Sequence, residues 1–138
     1  MQQVNFNTTN PAQQNDRVTE LQTAVQLDEA NNFAAALYTA AGAIALGGKV
    51  ALKAGSGAAM TLALPAAGAQ NAGGQDGMTM KFVSLDAEAY TITTPADGIN
   101  GADDTATFGG AIGDAMELMA WGGTWVTMSL KGVTLSEV

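Results

Sequence analysis

Four carboxylate and carboxamide side chains crowd one short stretch, ADGINGADDTATFGG (96–110): Asp97, Asn100, Asp103 and Asp104. Hard cations such as calcium take several oxygen ligands from flexible loops, so this is where the chain could bind a metal. The stretch lacks the ligand order of an EF-hand, and Asp, Asn and Gly are equally the residues that tight turns select. A turn is therefore the expectation, with no metal. KAGSGAAMTLAL (53–64) holds a Gly-Ser-Gly, but no lysine follows it as a phosphate-cradling loop requires. Nucleophilic catalysis needs a hydroxyl or thiol beside a base. The chain contains no histidine and no cysteine, which removes the commonest general base, thiolate chemistry and disulfides. A lysine or carboxylate base would remain, and no spacing points to one. The expectation is a protein that is not an enzyme and carries no cofactor.

The remaining candidate is MAWGGTWVTM (119–128), with two tryptophans, a Gly-Gly pair and flanking methionines. Exposed tryptophans can stack on sugars, but neighbours such as Met, Ala, Leu and Val are those of a core or an interface. Gly122-Gly123 suits a two-residue hairpin loop, because primed turns need positive φ. In that register Trp121 faces Thr124, Ala120 faces Trp125, Met119 faces Val126 and Leu118 faces Thr127. One face then carries Met119, Trp121, Val126 and Met128, and the other Met116, Leu118 and Trp125. A hairpin apolar on both sides is covered on both sides. A second sheet of the same domain would cover one face and a second subunit the other, so these seven residues are the candidate subunit interface.

The elements that position this hairpin read as strands. Met60, Leu62 and Leu64 alternate in AMTLAL until Pro65, and Met78, Met80 and Phe82 alternate in MTMKFVS. Tyr90 and Ile92 alternate in AYTIT before Pro95, and a short ATF strand surrounds Phe108. Short period-2 runs between Gly, Pro and Asp turns predict an all-β chain. The expected form is a compact β-sandwich or barrel of about seven to nine strands over residues 36–138. Between Glu29 and Asp76 the only charges are Lys49 and Lys53, as in short strands linked by Ala/Gly turns and packed against something. Upstream, Val18, Leu21 and Val25 have helical spacing behind Asn15 or Asp16, which predicts one short helix over 17–28. Residues 1–16 are Gln-, Asn- and Thr-rich. Val4 and Phe6 alternate there as in an extended strand, which makes residues 1–35 an arm for attachment or subunit exchange.

Of 138 residues, 27 are alanine, 17 glycine and only eight aromatic. Small side chains return little buried area per ordered residue, which favours burial between subunits. The formal charge of −8 disfavours nucleic acid, whose phosphates would repel it, and suits a surface with local positive charge. FAAALYTAAGAIALG (33–47) is too short to span a bilayer, and the start shows no signal peptide; the expectation is a soluble protein with no membrane partner.

Taken in order, GSGAAMTLALPAAG (55–68), QDGMTMKFVS (75–84), AYTITTP (89–95) and TATFGGAIGDAMELMAWGGTWVTMS (105–129) resemble a module of bacteriophage virion proteins. The resemblance covers roughly residues 40–130 and rests on turns and alternating strands, with Gly122 where the module's hairpin turn has Asn. Such modules occur in head decoration (cement) proteins, head fibres and tail-fibre pieces. The resemblance implies a β-structured, usually trimeric particle on the outer surface of a virion. The short length, without shaft or heptads, favours a decoration protein that stabilises a capsid, partnered by the major capsid protein and by itself as a homotrimer. Val4 and Phe6 would then be the capsid-attachment residues. The alternative is a tail-fibre or head-fibre module that binds a host receptor or glycan.

Overall fold

The computed structural model describes residues 34–138; the expected helix over 17–28 and the arm bearing Val4 and Phe6 lie outside the described residues. Ten strands follow in chain order: β1 (Ala35–Tyr38), β2 (Gly42–Ile44), β3 (Gly48–Leu52), β4 (Ala59–Leu62), β5 (Thr79–Ser84), β6 (Thr91–Thr93), β7 (Thr105–Phe108), β8 (Ala115–Trp121), β9 (Thr124–Lys131) and β10 (Val133–Ser136). They form two five-stranded sheets, the first ordered β1-β3-β5-β8-β9 and the second β10-β7-β6-β4-β2. The protein is all-β, as its alternation requires. Its ten strands exceed the expected seven to nine, since β1 and β2, of four and three residues, are too short to show a period.

The two halves are wound differently. From β1 to β6 the chain alternates between the sheets, and each strand pairs in parallel with the one two before it, as in Lys49↔Lys81 and Thr61↔Thr93. A parallel neighbour cannot be reached through a tight turn, so the chain returns through the opposite sheet. Beyond β6 every pairing between the named strands is antiparallel, with β8 and β9 closing the first sheet and β7 and β10 the second.

The core fills the space between the sheets. Val50, Leu52, Met80, Phe82, Met116, Leu118 and Trp125 point into it from the first sheet, and Ile44, Met60, Leu62, Ile92, Phe108 and Val133 from the second, all buried. The period-2 alternation predicted for 60–64, 78–84 and 90–93 is thus the alternation of core and surface.

Tyr90 pins the loops at one end of the sandwich. Its hydroxyl accepts the Ala54 N–H at 2.7 Å and donates to Asp86 Oδ1 at 2.5 Å, while Asp86 Oδ2 accepts the Gly55 N–H at 3.1 Å. Burial, reinforced by the hydrogen bond to Asp86, raises the Tyr90 pKa above its ordinary 10.0. Below about 10 both the folded and unfolded chains hold this proton; above it only the unfolded chain releases it, so stability falls as pH rises from there. Tyr90→Phe is expected to cost about 1–3 kcal/mol near neutral pH, since the Ala54 N–H loses its acceptor. It should also flatten the alkaline decline. Urea unfolding of both proteins at neutral pH and above pH ~10 checks this; parallel alkaline slopes would rule out a Tyr90 contribution.

Candidate interaction surface

The acidic loop between β6 and β7 is committed to structure. The Gly98 carbonyl accepts the Trp125 N–H at 2.8 Å, and the Asn100 N–H donates to the Trp125 carbonyl at 2.7 Å. The Asn100 side chain accepts the Thr127 N–H at 3.0 Å and donates to the Thr127 hydroxyl at 3.1 Å. The loop thereby covers part of the outer edge of β9, with Ile99 fully buried beneath it. Asp104 accepts from the Thr105 hydroxyl and the Val138 N–H. Both Asp97 and Asn100 adopt positive φ, which short Asx side chains tolerate best among residues with a Cβ. Among the described residues, no group of three or more His, Cys, Asp or Glu could hold a metal ion.

The hairpin has the register expected from its glycines, from Leu118↔Thr127 through Trp121↔Thr124. Gly122 and Gly123 have φ of 60° and 85°, and Asp76 Oδ1 accepts the Gly122 N–H at 2.8 Å. Its two faces differ sharply. Met116, Leu118 and Trp125 lie in the chain's own core, and Trp125 Nε1 donates to the Ala63 carbonyl at 2.9 Å. These three candidate interface residues therefore offer no surface to a second copy: the second sheet already covers them. Met119 and Val126 pair side by side on the outer face, with Trp121 beyond them, 60% exposed.

Met128 does not complete that face in the expected way. Glu117 pairs with Ser129 while Leu118 pairs with Thr127, so Met128 is the extra residue of a β-bulge. It remains 55% exposed. The bulge reverses the alternation beyond it. Leu130 pairs with the inward-facing Met116, and Lys131 pairs with Ala115 on the outer face.

The same outer face contains a feature that sequence reasoning missed. Lys49 of β3, Lys81 of β5, Glu117 of β8 and Ser129 of β9 lie in one row across the sheet. Ala51, Val83, Ala115 and Lys131 form the next row. Apart from Lys131, the residues of these rows line a shallow groove of about 310 Å³ with a small apolar floor. Lys81 Nζ stands 3.8 Å from Glu117 Oε1 with both side chains partly in solvent, an arrangement that contributes little to stability. The only sequence signal was the alternation that turns Lys81 away from Met80 and Phe82. Nothing local places it beside Lys49, 32 positions earlier in the register.

Among the described residues, no helix is long and apolar enough to cross a membrane. No protein-family model matches the chain, and a search of curated proteins finds no match to it.

Proposed function

We propose that the chain is a non-enzymatic structural virion protein that decorates and stabilises a bacteriophage capsid as a homotrimer on its outer surface. The observation that carries this reading is the apolar patch of Met119, Trp121 and Val126 on the outer face of the hairpin, which the chain's own second sheet does not cover. Isolated exposed apolar residues are ordinary on a protein surface, whereas contiguous ones mark contact sites. The sequence resemblance to phage virion modules supplies the setting. Mass action supplies the logic: a protein that binds the assembled shell in preference to its free subunits stabilises it.

The test has two parts. Light scattering of the full chain is expected to give three times the chain mass, and Met119→Glu to lower it, since burying an unpaired charge is costly. Electron microscopy of capsids with and without the protein is expected to place added density on the shell. A monomeric mass, or density confined to the tail, would overturn the corresponding part. One observation favours a second reading. Trp121, 60% exposed beside Thr124 at the hairpin tip, has the form of a stacking platform for a sugar ring. Binding on a glycan array that is lost in Trp121→Ala would select the tail-fibre or head-fibre alternative.

A further inference from the structure

Four parts of the chain meet at the end of the sandwich that bears the β8–β9 turn. Gly122 of that turn donates its N–H to Asp76 of the β4–β5 loop, and the Trp125 indole donates to Ala63 at the start of the same loop. The Gly98 carbonyl of the β6–β7 loop accepts the Trp125 N–H, and Asp104 accepts the N–H of the C-terminal Val138 at 3.2 Å. Five of the nine acidic side chains among the described residues lie in these segments: Asp76, Asp97, Asp103, Asp104 and Glu137. No lysine or arginine does. Asp76 and Asp104 bond backbone N–H groups and a hydroxyl, neutral donors that leave the carboxylate charge in place.

Trp121 belongs to this end. The Gly77 N–H donates to the Ala120 carbonyl and the Ala120 N–H to the Met78 carbonyl, both at 2.8 Å, so Gly77 is the extra residue of a glycine bulge, with φ of 87°. The bulge lets Asp76 reach the backbone of Gly122, the residue next to Trp121, where Oδ1 accepts at 2.8 Å. On its other side Trp121 pairs with the short Thr124, and its side chain is left 60% exposed. Turn chemistry accounts for each Asp in these loops taken alone. It does not account for an exposed indole beside an oriented carboxylate.

We propose that the hairpin tip receives an arginine side chain from a basic protein segment, its guanidinium lying on the Trp121 ring and pairing with the Asp76 carboxylate. Tryptophan offers the strongest cation–π face of the three aromatic side chains, and a carboxylate that spends one acceptor position on Gly122 retains others for a guanidinium. Charge selects the occupant. A neutral sugar would gain nothing from the other four carboxylates at this end, whereas a basic segment is steered by all of them. Met119 and Val126, one pair further from the tip, remain the contact for a second copy. In a decorated capsid the arginine belongs to the shell, and to that extent the inference rests on the proposed function.

The test titrates four full-length proteins into fluorescein-labelled hexa-arginine at physiological salt, read by fluorescence anisotropy. They are the unaltered chain, Trp121→Leu, Asp76→Asn and Glu88→Gln. Trp121→Leu keeps an apolar side chain and removes the aromatic face. Asp76→Asn keeps an acceptor for the Gly122 N–H and removes only the charge. Glu88→Gln makes the same change in net charge between β5 and β6, at the end of the sandwich away from the tip. Trp121→Leu is expected to weaken binding about threefold and Asp76→Asn about fivefold, while Glu88→Gln stays within about twofold of the unaltered chain. Matching circular dichroism spectra and urea midpoints establish that the variants fold. Equal weakening by Asp76→Asn and Glu88→Gln would overturn the proposal, because net charge alone would then explain binding. So would unchanged binding by Trp121→Leu; if that variant also lost binding on a glycan array, the ring would belong to a sugar. Cosedimentation with capsids separates the two readings. Asp76→Asn and Trp121→Leu proteins that still decorate capsids reject the tip as the contact and keep the decoration. Tip-dependent binding of hexa-arginine with no capsid association keeps the tip and rejects the decoration.

Discussion

Trp125→Ala is expected to cost about 3–5 kcal/mol of folding free energy, the usual range for truncating a fully buried large aromatic side chain. Trp125 is 0% exposed. It is also the point where three parts of the fold meet. Its indole ring belongs to β9 of the first sheet, its Nε1 bonds the carbonyl of Ala63 just past β4 of the second, and its backbone holds Gly98 and Asn100 of the β6–β7 loop. Alanine would leave a cavity and an unpaired Ala63 carbonyl, while the backbone bonds to the loop could persist. Domains of this size are stable by about 5–15 kcal/mol, so the variant should be marginal. Trp125→Phe keeps most of the volume and loses the hydrogen bond, and about 1–3 kcal/mol is expected. Trp121→Ala, four residues away on the exposed face, should change stability by less than about 0.5 kcal/mol in the monomer. Urea unfolding followed by circular dichroism measures all three. Equal midpoints for Trp125→Ala and Trp121→Ala would contradict the assignment of Trp125 to the core.

Gly132→Ala should be nearly as damaging, although it adds only a methyl group. Gly132 lies between β9 and β10, where the chain leaves the first sheet for the second, and its φ is 65°. An added Cβ would also strike the carboxylate of the buried Asp114. That carboxylate accepts the Ala111 N–H at 2.9 Å, and the Gly132 carbonyl accepts the Gly109 N–H at 2.7 Å. One methyl group thus forces an unfavourable backbone conformation and displaces a buried hydrogen-bond acceptor, together about 2–4 kcal/mol. Asp114→Ala removes the obstacle but not the backbone strain. In the double variant the two costs should therefore sum to less than the single costs added together. Full additivity in urea unfolding would show that the methyl group and the carboxylate do not compete for the same space.

The sequence by itself determined the β class and several local features, because each depends on residues close together in the chain. Met60/Leu62, Met80/Phe82 and Tyr90/Ile92 announce strands through a period of two. Gly122-Gly123 sets the hairpin register, because only one pairing fits a two-residue primed turn. It also showed that the hairpin is apolar on both sides. Tertiary structure alone decided which side the chain covers for itself. Met116, Leu118 and Trp125 lie under the second sheet, and Met119, Trp121 and Val126 do not. It alone decided the parallel winding of β1 to β6 as well, since that pairing joins segments 14 to 32 positions apart, such as Ala35 with Lys49 and Lys49 with Lys81. The row that sets Lys49 beside Lys81 follows from that winding. Period-2 alternation determines that a residue points away from its neighbours in the strand. It contains no information on which distant strand lies alongside, and so two lysines 32 positions apart become neighbours only when the sheet is assembled.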